Sequence, residues 1–116
     1  AFDAALAVAT AGTRVNEIGR AVQHEVRRHG FAVVKGLTGH GVGRTIHKEP
    51  SVPNEWDPTQ EDVLTDGLVI TIEPMIAERS GRAVEAADGW TIRTRDRGLA
   101  AHYEDTLVIT QGRPVV

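Results

Sequence analysis

The glycine at position 30 divides this chain into two textures, and that division does most to limit its possible folds. Before Gly30, Val15, Ile18, Val22 and Val26 fall three and four residues apart, and the run closes on Arg27, Arg28, His29 and Gly30. This predicts an amphipathic helix with cations at the negative end of its dipole and a glycine to stop it. Ahead of it, the alanine-rich stretch 2–11 puts Phe2, Leu6 and Ala9 on one face before meeting Gly12, which predicts a shorter first helix. After Gly30 the helical spacing disappears. Short runs at 31–34, 68–72, 90–93 and 103–110 read as strands, with a loop over 36–43 and turns at Asp66-Gly67 and Asp88-Gly89. Two helices followed by an antiparallel sheet is an α+β pattern. No linker interrupts it, so residues 1–116 are expected to form a single domain.

Composition narrows the function classes. With 41% hydrophobic and 25% charged residues, and Gly and Pro spread along the chain, it has the make-up of an ordered domain. The formal net charge is −3, and the cations stand in short groups such as Arg27-Arg28 and Arg93/Arg95/Arg97, which leaves no footprint for nucleic acid. No apolar stretch approaches the roughly 20 residues that cross a bilayer. Nor does a basic segment followed by an apolar one stand at the N-terminus. A cytoplasmic location without a membrane partner is therefore expected, and a start at Ala1 rather than Met is expected of a clipped or processed chain. There is no cysteine, so any metal must be held by histidine and carboxylate.

The densest chemical feature is Gly39-His40-Gly41-Val42-Gly43-Arg44-Thr45-Ile46-His47. Glycines around His40 remove bulk, so that backbone and imidazole can approach a metal or a substrate, and His47 could stand at the opposite rim of the same pocket. Two such histidines are also compatible with a purely structural role. Glu73 follows the apolar run Leu68-Val69-Ile70-Thr71-Ile72 and precedes Pro74. A carboxylate at the end of a buried strand is costly unless paired with a cation, either Arg or Lys or a metal. Near the end, strand alternation puts His102, Glu104 and Thr106 on one face and Tyr103, Asp105 and Leu107 on the other. Only one of Glu104 and Asp105 can then share a site with His40 and Glu73. One histidine and two carboxylates suit Mn, Fe, Co or Zn. A pair of such ions would activate a water and polarise a carbonyl, which makes amide hydrolysis the natural reaction.

Three runs together carry a resemblance: Gly39 to His47 with Pro50, Asp66-Gly67-Leu68-Val69-Ile70-Thr71-Ile72-Glu73-Pro74-Met75-Ile76, and Asp88-Gly89-Trp90-Thr91-Ile92-Arg93 leading to His102-Tyr103-Glu104-Asp105-Thr106. In order and spacing they resemble the signatures of bacterial type I methionine aminopeptidases, metallopeptidases of the pita-bread fold, over nearly the whole chain. The first two runs also resemble X-Pro aminopeptidases and prolidases; Met75 and the Asp-Gly-Trp-Thr run favour the methionine enzymes.

The resemblance implies half of a pita-bread fold and a two-metal hydrolase that removes the initiator methionine from nascent proteins. It implies His40 and Glu73 as ligands of one ion and Glu104 as a carboxylate bridging two. His47 would hydrogen-bond the substrate amide, and Trp90 and Ile46 would line the methionine pocket. The sequence departs from the family pattern at Ile46, where an aromatic is usual, at Lys48, and at Asp105, where a histidine is usual. The family's other two ligands are aspartates about ten residues apart in the preceding half, along with another catalytic histidine. Only Asp3 precedes His40 here, so the chain is expected to be the C-terminal half, to offer three of five ligands, and to need the missing half as a partner. A non-catalytic pita-bread binding module is the alternative outside the enzyme class.

Overall fold

The computed structural model describes residues 1–116. In chain order it comprises α1 (Phe2–Leu6), α2 (Val15–Arg28), β1 (Ala32–Val33), β2 (Thr38–Gly41), β3 (Lys48–Pro53), β4 (Val69–Ile72), β5 (Met75–Ala77), β6 (Ala83–Glu85), β7 (Ile92–Thr94), β8 (Ala100–His102) and β9 (Asp105–Val108). The α+β expectation holds, with the strands divided among three antiparallel sheets ordered β1-β5-β8, β3-β2-β4-β9 and β6-β7.

Helix α2 forms where its apolar period predicts, and Val15, Ile18, Val22 and Val26 are all buried. Arg27 and Arg28 occupy its last turn, and Gly30 takes a φ of 80° that a side chain would resist. The buried face packs with Leu6 and Ala9, with Val52 of β3, Ile70 and Ile72 of β4, and Leu107 and Ile109 at β9. Each such Val, Leu or Ile contributes about 1.5–3 kcal/mol when fully buried. The first helix stops at Leu6, earlier than the predicted 2–11, and Ala9 reaches the core from the turn that follows.

Two further elements differ from the sequence reading. The segment expected to loop over 36–43 contains β2, which pairs with both β3 and β4. A Cβ on Gly39 would meet the Thr71 carbonyl oxygen, and one on Gly41 would meet that of Glu49. These glycines are therefore needed first for strand-to-strand approach. The strand expected at 90–93 begins at Ile92 instead, because the Asp88 carboxylate accepts the backbone N–H of Trp90 and Thr91 and holds both residues in the turn.

The feature that positions the site is a shared break. Strand β4 pairs with β9 in one sheet, and β5 pairs with β8 in another. The two extended segments thus run side by side through both sheets, interrupted at Glu73-Pro74 on one and Tyr103-Glu104 on the other. Tyr103 N–H donates to the Pro74 carbonyl across the break at 3.3 Å, so the segments stay in register as they change sheets.

Candidate metal centre

Alternation along β4 decides which side chains reach the site. Ile70 and Ile72 face the helices, so Thr71 and Glu73 face the other way. Thr71 is opposite Thr106 in the β4–β9 register, and Glu104 shares the parity of Thr106. Glu104 therefore joins the site. Asp105 stands beside Tyr103, whose hydroxyl lies 3.4 Å from its carboxylate, and accepts the Thr106 N–H. This resolves the alternative left open by the adjacent acids.

Donor atoms of His40, Glu73 and Glu104 all lie within 4.8 Å of one another. His40 is anchored from β2, its backbone N–H donating to the Thr71 hydroxyl at 3.0 Å, and that hydroxyl donates to Glu73 Oε1 at 3.3 Å. The His40 ring places Nδ1 2.9 Å from the Gly41 carbonyl, an acceptor, so Nδ1 carries the proton. Nε2 then presents its lone pair toward Glu73 Oε1, 3.7 Å away. A backbone carbonyl fixing the tautomer in this way is the usual support of a metal-binding imidazole.

Glu73 is buried, 8% exposed, and the ion-pair neighbours of its carboxylate are histidines rather than Arg or Lys. Burial first, and the neighbouring Glu104 second, push its carboxyl above the ordinary range, against the opposing pull of His40, the Thr71 hydroxyl and His102. An acid held in these surroundings is suited to a bound cation, which would replace the missing hydration. Its backbone is held as well, since the buried Asn54 amide donates to the carbonyls of Glu73 and Leu37 at 3.0 and 3.2 Å. The donor set of imidazole and carboxylate fits a borderline divalent ion.

The remaining predicted residues sit farther out. The β2–β3 hairpin brings His47 back against His40, ring centroids 4.3 Å apart, so it stands beside His40 and not across from it. Ile46 is 71% exposed on the same hairpin loop, and Trp90 is 88% exposed at the β6–β7 turn. Neither lines the groove of about 250 Å³ formed by Val34, Leu37, Met75, Ile92, Ala101 and His102. Two site neighbours went unnominated by sequence reasoning. Asn54 carries no signal in the sequence. His102 did carry one, since alternation set it on the face of Glu104, and its Nε2 lies 3.5 Å from Glu73 Oε2 and 3.9 Å from Glu104 Oε2.

Comparison with known proteins bears on the family and the fold. The sequence profile of metallopeptidase family M24 matches residues 1–111. Methionine aminopeptidase 2 of Bacillus subtilis is 46% identical over 117 residues, covering all of this chain and 47% of its own length. The methionine aminopeptidase of Aquifex aeolicus is 40% identical over 114 residues, covering 97% of this chain and 44% of its own. Among solved structures, a methionine aminopeptidase from Thermotoga maritima superposes with a TM-score of 0.91 at 36% identity, covering 97% of this chain and 45% of that one. A prolidase from Pyrococcus furiosus superposes at 0.71 with 25% identity, covering 97% of this chain and 28% of that one. The chain thus spans about half the length of the methionine aminopeptidases it matches.

Proposed function

The chain belongs to metallopeptidase family M24, and from that membership we propose that it carries part of the two-metal centre of a methionine aminopeptidase. Residues 1–116 would form one half of the catalytic domain, and the rest of the domain would supply two aspartate ligands. The observation that carries this reading is the convergence of His40, Glu73 and Glu104 within 4.8 Å, together with the Nε2 lone pair that the Gly41 carbonyl leaves free on His40. The greater likeness to methionine aminopeptidases than to the prolidase, 36% against 25% identity, favours the methionine-removing branch.

In this proposal His40, Glu73 and Glu104 would hold the divalent ions, which would be Mn, Fe, Co or Zn. When bound they would polarise the peptide carbonyl and lower the pKa of a water. His47, on its exposed loop, would donate a hydrogen bond to the substrate amide and stabilise charge that develops there. Trp90 and Ile46 would close over the methionine side chain once the rest of the domain is in place. The substrates would be the N-termini of nascent proteins in the cytoplasm; no helix here is long and apolar enough to cross a membrane.

The test is Glu104→Ala in the full-length protein. The variant is expected to bind less metal and to hydrolyse Met-Ala-type peptides at least about a thousandfold more slowly, the scale of losing a principal electrostatic contribution. An active variant with full metal content would sink the assignment. Cleavage of Xaa-Pro peptides in preference to Met-Ala peptides would move the protein to the prolidase branch.

A further inference from the structure

The loop that returns β2 to β3, residues 42–47, brings its last residue back to the metal centre, the His47 ring standing 4.3 Å from that of His40. The same loop and the first residue of β3 carry two cations, Arg44 and Lys48, on either side of His47 in sequence. Residues 43–49 are all exposed. Arg14, Arg20, Arg28 and Arg79 each pair with a glutamate, but neither Arg44 nor Lys48 takes part in an ion pair. Glu49, the adjacent acid, is engaged elsewhere, accepting the Ser51 backbone N–H at 3.2 Å. Two positive charges are thus left uncompensated at the rim of a site built from acids.

Local structure keeps them there. The loop closes on itself, with the Gly43 N–H donating to the Thr45 carbonyl at 3.1 Å and the Thr45 hydroxyl to the His47 carbonyl at 3.2 Å. Lys48 stands opposite Gly41 in the β2–β3 register, and its side chain runs back over Gly43. A Cβ on Gly43 would lie 2.7 Å from Lys48 Cδ and 3.3 Å from Nζ, so the bare glycine leaves the space that the lysine stem occupies. The ammonium is held against the loop that carries His47.

In the reading above His47 donates to the substrate amide, so the chain beyond that amide continues past this loop. An extended peptide advances about 3.3 Å per residue, which sets its third to fifth residues roughly 7–13 Å from the scissile bond. Exposed charges act on one another over about 8 Å at physiological ionic strength. A positive rim therefore draws in a substrate whose following residues are negative.

We propose that Arg44 and Lys48 are specificity-determining residues that favour substrates carrying aspartate or glutamate just beyond the second position. This rests on the methionine aminopeptidase reading and deepens it: the metal centre cuts after the first residue, and the loop selects for acidic chain downstream. Lys48 is a position at which the sequence departs from the pattern it resembles, so the preference is a property of this chain.

The experiment compares kcat/KM of the metal-loaded full-length protein for two peptides with amidated C-termini, Met-Ala-Asp-Asp-Gly and Met-Ala-Asn-Asn-Gly. The acidic peptide is expected to be favoured about fivefold at about 20 mM salt, mainly through KM, and less than about twofold at about 500 mM. Lys48→Glu is expected to invert the preference, and Lys48→Gln and Arg44→Gln each to reduce it. Cleavage of the Asn peptide by each variant shows that it is folded, and a residue that only shaped the loop would change both peptides alike without salt dependence. Equal kcat/KM for the two peptides in the wild-type protein overturns the proposal, as does a preference that survives unchanged in all three variants; in both cases the cleaved Asn peptide leaves the aminopeptidase reading standing. If the wild-type protein cleaves neither peptide, both readings fail.

Discussion

At the scale of single residues, the raised pKa of Glu73 has a consequence that needs no substrate. The cause is burial and then Glu104, so the folded protein resists ionising this group more than the unfolded chain does. Stability from the protonated carboxyl is fully present below the unfolded value of about 4.3. It is lost as pH rises through the higher folded value. The metal-free protein is accordingly expected to lose stability as pH rises from the unfolded value through the raised folded one, and Glu73→Gln to flatten that slope, as urea denaturation at a series of pH values would show. A slope unaffected by the substitution would mean that the buried carboxylate is already compensated. His40 and Glu73 could be picked out in the sequence because each breaks a pattern, a histidine among glycines and an acid closing an apolar run. Glu104 could only be narrowed to one of two adjacent residues, since strand alternation separates Glu104 from Asp105 without saying which side faces inward. Asn54 could not be found at all, because its amide serves backbone carbonyls at Leu37 and Glu73 that are distant in sequence.

Among secondary-structure elements, α2 and β2 mark the extremes of legibility. The spacing of Val15, Ile18, Val22 and Val26 specifies α2 because one face of a helix must be apolar to be buried. Thr38-Gly39-His40-Gly41 has almost nothing in favour of a strand by propensity, and it becomes β2 because β3 and β4 close on it from either side. The tightness of that closure predicts that Gly41→Ala, whose methyl would meet the Glu49 carbonyl oxygen, destabilises the protein by about 1–3 kcal/mol through overpacking. Chemical denaturation measures it, and a neutral effect would show that β2 and β3 can separate without cost. Strand β8 was equally hidden, since Ala100, Ala101 and His102 are all exposed and show no apolar alternation.

For the molecule as a whole, what is left uncovered is as informative as the core. Strand β8 is the outer strand of its sheet, and Leu99 beside it is 78% exposed. An open edge next to apolar side chains invites pairing with another chain. Expressed alone, residues 1–116 are expected to sediment as assemblies larger than a monomer, and Ala101→Lys, which charges the edge, to shift them toward monomer. A monodisperse monomer would show that the edge is protected by its own twist and shortness.

The break shared by the two paired segments gives the acids a mechanical part to play. Glu73 and Glu104 sit where β4 becomes β5 and where β8 gives way to β9, the seam at which one sheet hands over to the next. The Tyr103 N–H to Pro74 bond crosses that seam on the backbone. An ion held by both carboxylates would be a rivet through the same line, so that loading the site would stiffen two sheets at once and emptying it would let them flex independently.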